Sequence, residues 1–213
     1  MPNWCNNKLV VSGPRVMEFD EKFKGKGARW GLDRWQKDGK TQEELKVLEE
    51  EARIEYENRE LGYSLDALVP VPAEVIAVGY SVPIVSDSLA VYDFMDTFDP
   101  EKWRDGYSWC ISHWGVKWDL HDVDMSILSD NEVEYLFDTA WSPPEPWLYK
   151  VANEWKDLRF ELMFEEDGVG FAGQLVIEDG EVLFEETVDG DEYQDFVIEH
   201  FGYDPYEGME EDV

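Results

Sequence analysis

Cysteine and positive charge are both scarce in this chain of 213 residues. Cys5 and Cys110 are the only cysteines, too few for a disulfide scaffold in a chain long enough to build a core without one. A reducing cytoplasm is the expected setting. No apolar run approaches the roughly eighteen residues of a membrane span. The start, MPNWCNNKLVVSGP, has neither a basic flank with an apolar stretch nor a small-residue cleavage site, so export is not expected. A glycine-rich phosphate loop is missing too: GKGARWG, residues 25–31, lacks the spacing and flanking strand of either nucleotide fingerprint.

Cations number 18 against 50 carboxylates, a formal net charge of -32 with a pI near 4.1. Self-repulsion on this scale has to be offset by a core, and the aromatic content of 15% supplies one that a disordered acidic chain would not have. The imbalance is uneven. Met1 to Lys40 holds nine basic and five acidic residues, whereas Phe160 to Val213 holds nineteen acids and no Lys or Arg.

Asn7 to Ser12 (NKLVVS), closed by Gly13-Pro14, reads as a strand. Lys22 to Lys40 is rich in glycine and base and reads as a loop. Thr41 with Glu44 forms a capping-box pattern that opens a helix to Leu61, largely glutamate outside the Leu45, Leu48, Ala52 face. Leu65 to Val75 is expected to be extended through its prolines, with short helices after Pro72 and over Ser86 to Phe98. Val133 to Thr139 reads as a strand; Trp147, Leu148, Val151 and Trp155 come after Pro143-Pro144 at helical spacing. Leu158 to Phe164, Phe171 to Glu178 and Val182 to Val188 read as strands, the last two joined at Asp179-Gly180. A final helix aligns Tyr193, Phe196, Val197, His200 and Phe201. The pattern predicts one α+β domain over residues 1–213, an antiparallel sheet with helices packed on one face, carrying an insertion over residues 20–62 made of the basic loop and the acidic helix.

Gly106 to Asp124 (GYSWCISHWGVKWDLHDVD) concentrates Trp, His, Cys and Asp. As a strand it would point Cys110, Trp114, Val116, Trp118 and Leu120 to one face and Trp109, Ile111, His113, Lys117 and Asp119 to the other. Cys110 and His113 then face apart, and a zinc site would have to borrow Cys5 and His121. Asp119, Asp122 and Asp124, with His121, offer hard oxygen ligands for magnesium or calcium at a strand end, the basis of an alternative reading as a metal-dependent enzyme. Cys110 or Ser112 beside His113 would need an activating geometry to act as a nucleophile. Core aromatics and solvated aspartates account for the segment with no metal and no cofactor.

MPNWCNNKLVVSGP, HWGVKWD and DTAWSPPEPW occur in that order, with LVPVP and FEEDGVGFAG. Together they resemble the phage and plasmid proteins of the YubB type, a family assigned a ferredoxin-like domain. The family pattern has Asn and Thr where this chain has His113 and Val116. The resemblance implies a ferredoxin-like sheet and a mobile-element protein acting in the cytoplasm of a bacterial host; it brings no catalytic residues with it.

Duplex DNA carries one charge per about 1.7 Å, so nineteen uncompensated acids match roughly 32 Å of duplex. The expected function is an acidic inhibitor of a host nucleic-acid-acting defence enzyme, a DNA mimic that contacts its partner through Glu165, Glu166, Asp167, Glu178, Asp179, Glu181, Glu185, Glu186, Asp189, Asp191 and Glu192. Trp4, Trp114 and Trp141 form an alternative contact surface. A solvated acidic coat on an interaction module unrelated to DNA is the competing reading. Lys22 to Lys40 interleaves cations with Trp30 and Trp35 as stacking platforms do, but the global charge opposes direct nucleic-acid binding.

Overall fold

The computed structural model describes residues 3–80 and 105–207. Its centre is β1 (Trp4–Ser12), in which Cys5, Asn7, Leu9 and Val11 alternate as buried positions, the period-two pattern of a strand with one face in the core. β1 pairs on one side with β5 (Glu132–Ala140) and on the other with β6 (Arg159–Glu166). β4 (His121–Ser129), β7 (Phe171–Glu178) and β8 (Glu181–Asp189) complete a six-stranded sheet in the order β4-β5-β1-β6-β7-β8. Every pairing in it is antiparallel, so this is the α+β architecture that the pattern of strands and helices predicts.

The helical layer covers the face of Leu9, Tyr135 and Leu162. α1 (Val16–Phe23) inserts Phe19 and Phe23; Phe19 meets Tyr135, Trp155 and Phe160 edge-on at 5.5–6.3 Å between centroids, a favoured aromatic arrangement. α7 (Glu145–Glu154) adds Trp147, Leu148 and Val151, the helical stripe read from the sequence. Trp147 donates its indole N–H to the Leu65 carbonyl at 3.1 Å. α8 (Asp191–Phe201) is the exception: Tyr193, Phe196 and Val197 pack with Ala172, whose parity in β7 puts it on the opposite sheet face from Leu175 and Ile177.

Residues 26–61 leave and return through a two-stranded ribbon, β2 (Lys24–Gly25) against β3 (Gly62–Tyr63). The segment expected as a loop from Lys22 to Lys40 starts inside α1 and contains β2 and a short helix, α2 (Arg34–Lys37). α3 (Gln42–Asn58) has the capping box that Thr41 and Glu44 imply, and no residue of it is fully buried. Asp20 and Phe23 belong to the core. Asp20 accepts from the Tyr63 and Tyr135 hydroxyls at 2.8 and 3.1 Å and pairs with Lys24.

Two expectations are corrected. Leu65–Leu68 is a helical turn, α4, not extended chain: Ser64 accepts from the Asp66 N–H at its start and the prolines lie beyond its end. Ala73–Val78, α5, comes after Pro72 as expected. The tryptophan segment is not a strand. Gly106–Trp114 is a helix, α6, capped by Asp105, whose carboxylate accepts from Ser108 N–H at 2.8 Å, and closed by Gly115 at φ 83. Trp109, Cys110 and Trp114 are buried at helical spacing, and aromatic β propensity yields to capping at both ends. The helix expected over Ser86 to Phe98 lies outside the described residues.

Candidate functional site

The three sequence motifs meet at one end of the sheet. Asn7, buried in β1, donates to the Cys5 and Phe137 carbonyls and to Thr139 Oγ1 at 2.8, 3.3 and 2.8 Å. Thr139 donates to the Ser142 carbonyl at 2.7 Å, and Ser142 donates to the Gly115 carbonyl at 2.8 Å. A side chain at Gly115 would strike Pro146, so the motif around Trp114 and the proline motif are matched surfaces. This polar chain satisfies the buried groups it touches and explains the motifs' asparagine, threonine and glycine as structure.

The tryptophans divide. Trp114 is buried and donates to the Val69 carbonyl at 2.9 Å, so it is removed from the expected contact surface. Trp141 is 55% exposed at φ 80, a left-handed conformation that costs a bulky residue free energy. Trp118, assigned to the core with Trp114, is 40% exposed. Its ring lies 6.3 Å from Trp4, which stacks on His121 at 4.7 Å. The Lys117 ammonium sits between two rings, 4.2 Å from Trp118 and 4.9 Å from Trp141, and desolvation lowers its pKa. Lys117 and Trp118 thus replace Trp114 at this end. The signal in the sequence is Gly115, which ends the helix and turns the chain in a new direction.

The aspartates sit at the start of β4, not at the end of a strand. The Asp119 carboxylate accepts from Ser64 Oγ and from the Leu65 and Leu120 N–H groups at 2.6, 2.7 and 2.9 Å, tying α4 to the chain before β4. His121 lies 3.9 Å from Asp138, while Asp122 and Asp124 are exposed. Among the described residues no three His, Cys, Asp or Glu side chains are grouped to hold a metal ion. On a helix Cys110 and His113 lie one turn apart, so the opposed-face argument against a shared site falls. His113 instead stacks on Trp109 at 4.3 Å. Burial pushes the Cys5 and Cys110 thiols well above their usual pKa, which removes the thiolate that a nucleophile needs.

The acidic residues separate into two groups. Glu165 and Glu166, expected on the contact surface, are buried. Glu165 accepts from Asn6 and from the Tyr193 and Tyr203 hydroxyls, the latter two at 2.8 and 2.7 Å; Glu166 accepts from the Gly168 and Val169 N–H groups in the β6–β7 turn. Asp167, Glu178, Asp179, Glu181, Glu185, Glu186, Asp189, Asp191 and Glu192 are exposed. Most of them line β8, the edge strand, or the first turn of α8. Between them Val182, Leu183 and Phe184 are exposed by 46, 59 and 43%. Glu185 accepts from Tyr149, and Glu178 pairs with Arg159.

Residues 113–205 match a family model described as the ferredoxin-like domain in Api92-like protein. The crystal structure of protein api92 from Yersinia pseudotuberculosis aligns over 89% of this chain and 99% of that one, at 10% identity and a TM-score of 0.47. No curated protein matches the chain. Among the described residues no helix is long and apolar enough to cross a membrane.

Proposed function

We propose that the chain is a binding protein of a mobile genetic element that docks on the nucleic-acid-binding face of a host enzyme, its edge carboxylates standing in for phosphates. The observation that carries this reading is β8: an edge strand with acids and an exposed Val182-Leu183-Phe184 run, in a stretch with no Lys or Arg from Phe160 onward. Edge strands are ordinarily protected by charge. A purely solvating coat has no use for three consecutive exposed apolar residues, whereas a contact surface does. Glu181, Glu185, Glu186 and Asp189 lie on the strand, with Glu178 and Asp179 at its start and Asp191 and Glu192 at its end. Nine residues at a rise of about 3.4 Å each make a strand roughly 31 Å long, so its four acids come to one charge per roughly 8 Å, with the other four clustered beyond its two ends. The strand alone thus has a little under half the linear charge density of one phosphate strand, about 3.4 Å per charge, and the clusters at its ends add to it. The mobile-element setting rests on the resemblance to the YubB type.

Affinity capture of the tagged chain from bacterial lysate at low and high salt tests the reading. The expected partner is a nucleic-acid-binding enzyme, retained less as salt rises and displaced by duplex DNA. A variant with Glu181, Glu185 and Glu186 changed to Gln and Asp189 to Asn should lose it. A partner that holds the variant equally well and ignores DNA would defeat the proposal.

A further inference from the structure

A cleft of about 560 Å³ opens between the Gly25-Lys26-Gly27 turn, the return of the α3 excursion at Arg59, and the residues that precede β4. The volume falls within the range of about 300–1,000 Å³ typical of small-ligand sites. Its composition runs against the rest of the molecule. Lys26, Arg59 and Lys117 line it, together with Trp30, Trp118 and Tyr80, in a chain where carboxylates outnumber cations 50 to 18.

Among the described residues neither Lys26 nor Lys117 forms an ion pair: Lys26 donates to the Glu57 carbonyl at 2.7 Å, and Lys117 is held over Trp118 and Trp141. Arg59 donates to the Lys26 carbonyl at 3.0 Å and lies 3.9 Å from Glu55, so it stiffens the turn that carries Lys26. Tyr80 meets Trp30 edge-on at 5.3 Å and donates to the Lys117 carbonyl at 2.5 Å. The aromatic walls are therefore fixed, and the cation beside them is oriented from both its side chain and its backbone. Of the lining carboxylates, Asp119 is satisfied by Ser64, Leu65 and Leu120; Glu60 is exposed at the rim.

We propose that this cleft binds a nucleoside monophosphate, with the phosphate held by Lys26 and Lys117 beside Arg59 and the base on the aromatic wall of Trp118 and Trp30. A planar ring on tryptophan and a compact anion on unpaired ammonium groups are the two contacts that a nucleotide supplies together. The acidic edge does not forbid it. β8 and β4 are the two margins of the sheet, roughly 24 Å apart at about 4.8 Å per strand, some three screening lengths at about 8 Å in physiological salt. The proposal is independent of the docking of β8.

Titration of the intact chain with AMP, GMP, CMP and UMP, followed by tryptophan fluorescence and calorimetry, tests it. At least one nucleotide should give saturable quenching with one site per chain, and the matching nucleoside and inorganic phosphate alone should each bind at least tenfold more weakly. Lys117→Met, which keeps the alkyl contact with the rings, and Lys26→Ala should each weaken binding at least tenfold while the melting temperature stays within a few degrees. The variant neutralised along β8 should bind as the native chain does. No saturable response to any of the four at millimolar concentration, equal binding of inorganic phosphate, a single-stranded oligonucleotide bound more tightly than every monomer, or undiminished binding by Lys117→Met would each overturn the proposal.

Discussion

Four residues apart, Trp114 and Trp118 have opposite fates. Trp114 is enclosed between Trp109 and the Val69 carbonyl, whereas Trp118 keeps 40% of its surface in solvent. Trp114→Ala should cost about 3–5 kcal/mol, the range for truncating a buried ring. Trp118→Ala should cost about 1 kcal/mol, the worth of its contacts with Trp4 and Lys117. Urea midpoints of the two variants check the difference, and equal losses would refute the division. The sequence does not show it because both readings of residues 106–124 place aromatics inside, and only Gly115 at φ 83 breaks the segment in two. Glu165 and Glu166 are equally illegible: their neighbours Glu161 and Asp167 look the same in sequence, and the groups that bury Glu165 come from Asn6, Tyr193 and Tyr203.

At the level of elements, strands and caps are readable because they are local. β1, β5, β6, β7 and β8 fall within a few residues of their alternating patterns, and α3 begins where its capping box requires. β4 is not readable, since only Val123 and Met125 along it are even half-buried and the rest of the strand is exposed. The placement of α8 is also hidden, because its stripe says that it packs and not on which face. Glu165 supplies the anchor, joining α8 through Tyr193 and the following turn through Tyr203 to β6. Glu165→Ala leaves two hydroxyls and the Asn6 amide short of a partner and should cost about 3 kcal/mol. Hydrogen exchange should then show α8 losing protection ahead of β1, β5 and β6; uniform loss across the sheet would mean that the carboxylate supports the whole core.

Across the whole molecule the governing quantity is the net charge of -32. At 10 mM salt the screening length of about 30 Å exceeds the width of the sheet, so all the carboxylates repel one another; at 150 mM, about 8 Å, only neighbours do. Raising salt across that interval should therefore stabilise the fold, and a gain of about 2 kcal/mol would lift the melting temperature by roughly 4–8 °C in a chain of this size. A flat or falling melting temperature would show that the surface ion pairs, such as Arg53 with Glu50 and Glu57, outweigh the repulsion. The central position of β1 has a consequence in time. It is made well before its partners, for the strands that flank it begin only at Glu132 and Arg159. At about 5–20 residues per second, Leu9, Val10 and Val11 leave the ribosome roughly 6–30 s before the sheet can close on them, and every ladder pairing of that strand spans a long loop, which slows folding further. The nascent chain thus carries an unpaired apolar strand for as long as residues 13–131 are being added. Residues 1–40, which include that strand, are net cationic, with nine basic and five acidic side chains, and the acidic surplus that keeps neighbouring copies apart starts to build up behind them with the glutamates of α3.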